Sequence, residues 1–263
     1  MVCCLLPPGG PAYFHSGLMV RKFSYFVSDV HLGLQVQEPA RREARFVDFL
    51  KGIPADETES LYLLGDIWDF WYEYRDVVPK GYVRVFSALM DLMDKGVKVY
   101  YFQGNHDIWS YSYFEDMGMV RLTQPYVTRI GRKSFCLGHG DGLGPSPLTY
   151  RIMRWTFHNP FVQKCFSALH PWFAFRLGNG WSRSSRLAKS ISYPFRGMEE
   201  PICRFCRDFQ KRTPVDFYIF GHYHSRVDMG LDGARLMILG DWITGPNWIV
   251  FDRESGELRA CQG

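Results

Sequence analysis

Short apolar runs recur along the chain and are typical of buried strands. They are rich in aromatic and β-branched residues and are bounded by polar or glycine-containing segments. Such runs predict strands at Phe23–Ser28, Leu61–Leu64, Val97–Phe102, Val215–Phe220, Arg235–Leu239 and Trp248–Phe251. Tyr126–Ile130 and Lys133–Leu137 flank Gly131 and Arg132, a spacing that predicts a β-hairpin.

Two segments between the first strands have the period of an amphipathic helix. In Glu38–Leu50, Pro39 suits the first turn, and three apolar residues share one face, namely Phe46, Val47 and Leu50. The next segment repeats apolar residues at i, i+3, i+4 and i+7, namely Phe86, Leu89, Met90 and Met93. Strands alternate with helices at first and then pair with one another. This order predicts an α/β (α+β) domain with mixed sheets.

The segment Pro145–Thr213 differs from the rest of the chain. It contains 12 Lys or Arg against 3 Asp or Glu, although the formal net charge of the whole chain is only +4. It also holds 13 aromatic residues and has a helical pattern. We therefore predict a basic, aromatic-rich helical cap at 145–213, inserted into a domain made of residues 19–144 and 214–263. Residues 1–18 are expected to form a disordered tail.

Composition excludes several classes of protein. Hydrophobic residues make up 46% of the chain and charged residues 22%, which is typical of globular proteins and not of disordered or fibrous ones. No run of about 18 uncharged apolar residues is present to span a bilayer. A net charge of +4 is too small to indicate nucleic-acid binding. The seven cysteines are expected to be reduced cytosolic thiols, and the Cys203/Cys206 pair to be structural.

Polar motifs follow five of the predicted strands. They are Ser28-Asp29-Val30-His31, Gly65-Asp66, Gly104-Asn105-His106-Asp107, Gly138-His139-Gly140-Asp141 and Gly221-His222-Tyr223-His224. Strand ends distant in sequence converge at one edge of an open α/β sheet, and glycine leaves room for a ligand there. Carboxylates, imidazoles and a carboxamide suit divalent ions such as Mn²⁺, Fe²⁺ or Zn²⁺. Five of the eight histidines lie in these motifs, so we predict a metal centre.

In this order, the motifs resemble those of the calcineurin-like metallophosphoesterase superfamily. Within it, the chain is similar to the UDP-2,3-diacylglucosamine diphosphatases of lipid A synthesis. This similarity rests on SDVHLG (28–33), LGDIWDFW (64–71), GNHDIW (104–109), HGDGLGP (139–145), WSRSSR (181–186) and FGHYH (220–224). It extends from about Phe23 to Phe251. Many of those diphosphatases have Arg where this chain has His106, whereas the wider superfamily and some diphosphatase branches keep His.

The resemblance implies a four-layer αββα sandwich of two mixed sheets with the cap over the site. It also implies two divalent ions, Mn²⁺ first, with Fe²⁺, Zn²⁺ or Mg²⁺ as alternatives. One ion would be held by Asp29, His31 and His224, and the other by Asn105, His139 and His222. Asp66 would bridge the two. A pair of ions about 3.5–4 Å apart can clamp a phosphoryl group and lower the pKa of water.

Residues around these ligands have expected roles of their own. His106 would face the substrate and stabilise charge or protonate the departing oxygen. Asp107 would orient His106 or cap a turn, and Asp69 and Asp141 would hydrogen-bond to ligand histidines. Asp241 and Asn247 fit turn chemistry. One aromatic group belongs either to the core or to an acyl-chain entrance, namely Trp68, Phe70, Trp71 and Tyr72.

The function that this resemblance implies is cleavage of UDP-2,3-diacylglucosamine to UMP and 2,3-diacylglucosamine 1-phosphate. The enzyme is then expected to be cytoplasmic and peripheral on the inner face of the inner membrane. The cap would contact an anionic membrane surface, and Arg183, Arg186 and Lys189 would bind substrate phosphate. A soluble phosphodiester or a nucleic acid is an alternative substrate. A non-catalytic scaffold would not need so complete a ligand set, and the oligomeric state is left open.

Overall fold

A computed structural model describes residues 21–178, 180 and 195–263, which include two β-sheets. In chain order, the strands are β1 (Phe23–Val27), β2 (Thr58–Leu63), β3 (Lys98–Phe102), β4 (Val120–Leu122), β5 (Tyr126–Ile130), β6 (Lys133–Leu137), β7 (Phe217–Phe220), β8 (Val227–Leu231), β9 (Ala234–Ile238), β10 (Asn247–Asp252) and β11 (Leu258–Gln262). One sheet has the order β11-β10-β1-β2-β3-β4 and the other β5-β6-β7-β9-β8. Both contain parallel and antiparallel pairs, as predicted.

Helices cover the outer faces of both sheets. In chain order, the helices are α1 (Pro39–Gly52), α2 (Val83–Asp94), α3 (Tyr113–Asp116), α4 (Leu148–His158), α5 (Pro160–Ser167), α6 (residues 171–178) and α7 (Pro201–Arg212). Short 3₁₀ turns lie at Ala55–Glu57 and Gly197–Glu199. The first three helices pack on the first sheet, and α7 packs on the second. The architecture is therefore the expected four-layer αββα sandwich.

Side-chain alternation along the strands separates the layers of the core. Phe26 points between the two sheets, where its ring lies 6.0 Å from that of Phe135 on the opposite sheet. Val27, the next residue, points to the other face and joins the layer beneath the first helices. The parallel strands β1, β2 and β3 of the first sheet, and β6, β7 and β9 of the second, each end where a polar motif begins.

The strands, the hairpin and both amphipathic helices that the sequence predicts are present, with ends displaced by a few residues. The face assigned to α2 is partly wrong, because Met90 is 42% exposed whereas Val85 and Leu92 are buried. Three strands were not predicted, namely β4, β8 and β11. All three lie at sheet edges, where exposed polar residues interrupt the apolar pattern.

The predicted cap range, 145–213, contains helices with two different packing partners. α4, α5 and α6 expose many apolar side chains, whereas α7 buries Cys203 and Cys206 fully against the second sheet. Cys136 of β6 lies in the same apolar layer, and the cysteines within the described ranges are all free thiols. Among the described residues, no helix is both long enough and apolar enough to cross a membrane.

Candidate metal centre

The backbone bends sharply at the strand ends that carry the predicted ligands. Left-handed φ values occur at five of them, namely Asp29 (52°), His31 (50°), Asp66 (52°), His222 (69°) and His224 (53°). Non-glycine residues rarely adopt this conformation, and it concentrates at functional sites. The loops that follow β2 and β3 also approach each other closely, because a Cβ on Gly104 would overlap the Asp66 carboxylate. Glycine at that position lets the loop after β3 reach Asp66.

Asp29, His31, Asp66 and His224 form one compact group of donor atoms. One ligand atom from each lies within 4.8 Å of all the others. His31 Nε2 is 3.7 Å from Asp29 Oδ1 and 3.8 Å from Asp66 Oδ2, and His224 Nε2 is 3.4 Å from Asp29 Oδ1. Asp29 Oδ1 is fully buried and accepts no hydrogen bond from any described residue. A buried carboxylate oxygen left in this state fits coordination to a cation.

His139 connects this group to the other predicted ligands. Its Nε2 lies 3.3 Å from Asp66 Oδ2 and 3.3 Å from Asn105 Oδ1. The ring of His222 is 5.1 Å from that of His139, centroid to centroid. His139 Nδ1 lies 2.9 Å from the Leu64 carbonyl oxygen, so it donates there and leaves the Nε2 lone pair facing Asp66. The structure therefore brings all seven predicted ligands to one site, with Asp66 between two sets of imidazoles.

Two carboxylates lie behind the imidazoles of the compact group. Asp69 Oδ1 is 3.3 Å from Nδ1 of His31, a close polar contact, and Asp241 Oδ2 is 3.1 Å from Nδ1 of His224. Such carboxylates fix the ring orientation of a ligand histidine and raise its basicity. Both rings thus direct Nε2 toward the centre.

The contact of Asp241 differs from the turn role that the sequence indicated. Asp241 also accepts hydrogen bonds from the backbone amide and hydroxyl of Thr244, so the turn is present as well. A signal for the additional role was visible in the sequence, because Gly240-Asp241 follows a strand in the same way as Gly65-Asp66. Asn247 does serve the turn, since its side chain accepts from the Gly240 amide.

The buried charges favour a positive charge at the centre. Burial alone would raise the pKa of Asp66, but the imidazoles around it lower that pKa well below its ordinary value. Burial alone would lower the pKa of His139, but the Asp66 carboxylate raises it to about 9. Burial, and then the charge of Asp66, raises the pKa of Asp107 to about 7. This electrostatic environment suits divalent cations.

His106 lies beside the compact group and is 8% exposed. Its Nδ1 is 2.9 Å from the Asp69 carbonyl oxygen, and its ring meets that of His31 edge-on at 5.0 Å. Atoms of His31, Asp69 and His106 also lie within 4.8 Å of one another. A hydrogen bond from Nδ1 to the carbonyl places Nε2 on the opposite side of the ring.

The contacts of Asp107 match one of its two expected roles, whereas those of Asp141 differ from the expected one. Asp107 accepts hydrogen bonds from four backbone amides, those of Asp66, Ile67, Trp68 and Gly104. This arrangement favours the turn-capping interpretation over the orientation of His106. The carboxylate of Asp141 contacts Arg154, Gln124 and Tyr150, so the expected bond to a ligand histidine is wrong. Its partners come from the loop before β5 and from α4.

Arg42 has a structural role that the sequence did not indicate. It lies on the buried face of α1, and its guanidinium donates to the carbonyl oxygens of His31, Leu34 and Val36. The bond to His31 measures 3.0 Å. Arg42 therefore fixes the loop that carries a predicted ligand. The sequence signal for this role was an arginine on an otherwise apolar helix face.

Of the four aromatic residues after β2, two lie in the core and two contact the helical segment. Trp68 and Trp71 are buried in the core beneath the first helices. Phe70 contacts Phe175 of α6, and Tyr72 contacts Phe166 of α5, so these two support the helical segment. The predicted phosphate contacts Arg183, Arg186 and Lys189 lie outside the described residues.

Comparison with known proteins adds independent information. The model of the family described as calcineurin-like phosphoesterase matches residues 25–226. A protein of Porphyromonas gingivalis named UDP-2,3-diacylglucosamine hydrolase is 36% identical over 250 residues, which cover 89% of this chain and 95% of the relative. A protein of Yersinia pseudotuberculosis with the same name is 30% identical over 242 residues, covering 89% and 96%. The solved structure of an archaeal phosphodiesterase aligns over 92% of this chain and 99% of its own, with a TM-score of 0.46 and 14% identity.

Proposed function

Because the chain belongs to the calcineurin-like phosphoesterase family of metal-dependent hydrolases, we propose that it cleaves the diphosphate of UDP-2,3-diacylglucosamine. The products would be UMP and 2,3-diacylglucosamine 1-phosphate, placing the enzyme in lipid A biosynthesis. The observation that carries the hydrolytic part is the convergence of six oxygen and nitrogen ligands around the seventh, Asp66. The names of the relatives support the substrate.

In this proposal, the seven ligands hold two divalent ions. Asp29, His31 and His224 hold one, Asn105, His139 and His222 hold the other, and Asp66 contacts both. Mn²⁺ fits the mixed carboxylate and imidazole set, with Fe²⁺, Zn²⁺ or Mg²⁺ as alternatives. When bound, the ions would supply charge neutralisation for the phosphate groups and an activated water.

The ligand imidazoles are oriented for metal binding by polar groups that contact their outer nitrogens. Asp69, Asp241 and the Leu64 carbonyl each contact an Nδ1 atom and direct the opposite nitrogen inward. The ligand rings therefore do not need to reorient when a cation binds. This preorganisation lowers the cost of binding and narrows the geometry that the site accepts.

His106 is the proposed proton donor. Its Nδ1 is directed to the Asp69 carbonyl oxygen, so a proton on Nε2 can be given to the departing oxygen. When that proton is present, the same ring stabilises negative charge on the phosphate. Asp107 acts through the backbone in this proposal, because it ties the loop after β3 to the loop after β2.

The helical segment is proposed to contact the lipid. The cap then includes α4–α6, and it ends before Pro201, since α7 packs on the second sheet. Phe161 is 74% exposed and Trp172 is 63% exposed, although both are strongly apolar. No Asp or Glu occurs in residues 145–178. Exposed aromatics with nearby cations suit the interface of an anionic membrane.

The proposed location is the cytoplasmic side, peripheral on the inner face of the inner membrane. Arg183, Arg186 and Lys189 remain proposed contacts to substrate phosphate. Binding to vesicles of neutral and anionic lipid tests the location, with Phe161→Ser and Trp172→Ser as variants. Val127→Ser is the matched control, because Val127 is 43% exposed on β5, outside the cap. We expect the two cap variants to lose binding that rises with anionic lipid and falls with salt. Equal binding by all three variants would contradict this location.

The substrate is tested by product analysis. The purified chain is assayed on UDP-2,3-diacylglucosamine and on a simple aryl phosphodiester, with Mn²⁺, with Mg²⁺ and with chelator. We expect UMP and the lipid monophosphate in equal amounts, with metal only. His139→Gln should abolish both reactions, and His170→Gln, at an exposed histidine, should not. Turnover of the aryl diester or of DNA alone would contradict the lipid substrate and leave the metal-dependent hydrolase in place.

A further inference from the structure

A polar cavity lies between α4 and the loop that follows β6. Its volume is about 640 Å³. The loop contributes Gly142 and Ser146, and its first residues come directly after the ligand His139 and its neighbour Asp141. The cavity is therefore joined to the candidate centre by a few residues of chain.

One face of α4 lines this cavity with cationic and aromatic side chains. Arg151, Arg154, Trp155 and His158 follow the spacing i, i+3, i+4 and i+7, so they share a face. Arg154 is held by Asp141, which fixes its guanidinium beside Gly142. A Cβ on Gly142 would lie 3.0 Å from Arg154 Nε, so glycine at this position leaves room for the arginine side chain.

The positive charge of this face is only partly compensated. Asp141 balances Arg154, but the Arg151 guanidinium makes no hydrogen bond or ion pair with any described residue. Partial burial, and then the charge of Arg154, lowers the pKa of His158. An anion bound here would gain charge-assisted hydrogen bonds from both arginines.

The lining excludes an acyl chain as the occupant. Apolar chains would remove water from two guanidinium groups and an imidazole without replacing their hydrogen bonds, which is unfavourable. Trp155 is 65% exposed and offers a flat ring beside these donors. A planar base with a phosphate attached matches both features, because bases stack on indole rings and phosphates pair with guanidinium groups.

We propose that this cavity is the subsite for the nucleotide half of the substrate and takes a nucleoside monophosphate. The inference rests on the proposed function, since it divides that substrate between two places. Arg151 and Arg154 hold the phosphate, and the indole of Trp155 stacks on the base. The diacylated sugar then extends toward the apolar surfaces of α4–α6.

Equilibrium binding to the full chain loaded with Mn²⁺ tests this assignment. Calorimetry is carried out with UMP, uridine, inorganic phosphate and glucosamine 1-phosphate. We expect UMP to bind about 10-fold more tightly than any of the other three. Arg151→Gln should weaken UMP binding about 10-fold, and Trp155→Leu should weaken it as well, because each removes one recognised group. Inorganic phosphate should bind Trp155→Leu as it binds the wild type, because it has no base to stack, whereas Arg151→Gln should weaken its binding.

Arg129→Gln is the matched control, because Arg129 is exposed on β5 away from the cavity. Unchanged UMP affinity in Arg151→Gln and Trp155→Leu would overturn the inference. Tighter binding of glucosamine 1-phosphate than of UMP would overturn the nucleotide assignment in favour of the sugar phosphate. If the chain hydrolyses the nucleotide lipid but the variants keep the wild-type affinity for UMP, the subsite is refuted and the proposed function is not. Arg151-dependent UMP binding without hydrolysis of that lipid supports the subsite and refutes the proposed substrate.

Discussion

The Asp241 carboxylate lies 3.1 Å from Nδ1 of His224, on the far side of the ring from Asp29. Burial alone would raise the pKa of Asp241, but hydrogen bonds from His224 and Thr244 lower it. Asp241 therefore stays ionised and holds the imidazole with Nε2 directed to the centre. Residues in this position act on a metal through its ligand.

Replacing Asp241 by Asn should weaken metal binding. The amide can keep the Thr244 contacts but loses the charge opposite His224, so we expect the affinity for Mn²⁺ to fall about 10–100-fold. Competition with a chromogenic chelator measures this affinity, and circular dichroism checks the fold. Asp208→Asn, at an exposed position of α7, is the control. Wild-type affinity in Asp241→Asn would mean that the contact has no role in metal binding.

Asp66→Asn should remove the bridge between the two sets of ligands. Charge stabilisation by a bound metal contributes several kcal/mol to catalysis, so kcat should fall by about 10³-fold or more. Metal content and kcat are measured together, with Asp76→Asn as an exposed control. A folded Asp66→Asn protein with normal turnover, or full activity of wild-type protein after chelation, would refute the assignment.

His106→Ala separates catalysis from metal binding. We expect both ions to be retained and the rate to fall about 10²–10⁴-fold on a substrate with a poor leaving group. A very good leaving group needs little protonation, so its rate should fall less. Equal losses on both substrates would indicate charge stabilisation instead. Loss of a metal ion would show that His106 is itself a ligand.

Arg42→Met should destabilise the loop that carries His31. Three carbonyl oxygens each lose the donor that Arg42 supplies, and we expect the free energy of unfolding to fall by about 3 kcal/mol. Arg42→Lys should recover part of this loss. Urea unfolding measures it, and Arg41→Met is the control, because Arg41 is the exposed neighbour on the same helix. Equal stability of the two Met variants would contradict the role of Arg42.

Asp216 predicts a pH-dependent contribution to stability outside the candidate site. Burial alone would raise its pKa, but hydrogen bonds from the Ser134 amide and hydroxyl and from Lys133 lower it to about 2. A lowered carboxyl pKa stabilises the fold above the unfolded value of about 4, and the effect is lost as the pH falls through about 2.

At pH 7, Asp216→Asn should therefore lower the free energy of unfolding by about 1 kcal/mol, a value reduced by solvent screening. The difference from wild type should shrink between pH 4 and pH 2. Chemical unfolding at several pH values checks this, with Asp91→Asn on the exposed side of α2 as the control. A difference that stays constant with pH would refute the assignment.

The positions of the ligands could be predicted because the signal is local. A buried strand followed by Gly and then by Asp or His places a polar side chain at the sheet edge, and the strands themselves were recognisable from their apolar runs. His139 and Asp66 are 73 residues apart, yet each could be placed by its own strand. The helical period was less informative. The apolar stripe that it predicts for α2 includes Met90, which lies outside the buried face of that helix.

Contacts that join separate segments could not be predicted. Asp141 is bound by Arg154 from α4, and nothing near Asp141 in the sequence distinguishes that partner from a ligand histidine. The edge strands β4, β8 and β11 have too few buried residues for an apolar pattern. The role of Asp241 could have been predicted, because its strand, glycine and carboxylate repeat the pattern at Asp66.

The left-handed backbone at five predicted ligands also bears on how such a protein can lose its activity by mutation. Asn adopts this conformation more readily than most residues, whereas β-branched residues are strongly disfavoured. Asn codons differ from those of both Asp and His by a single base. The replacement that this backbone tolerates best is therefore also among the easiest to reach genetically. At each of these five positions, one nucleotide change would therefore alter the proposed ligand set while the backbone keeps its conformation.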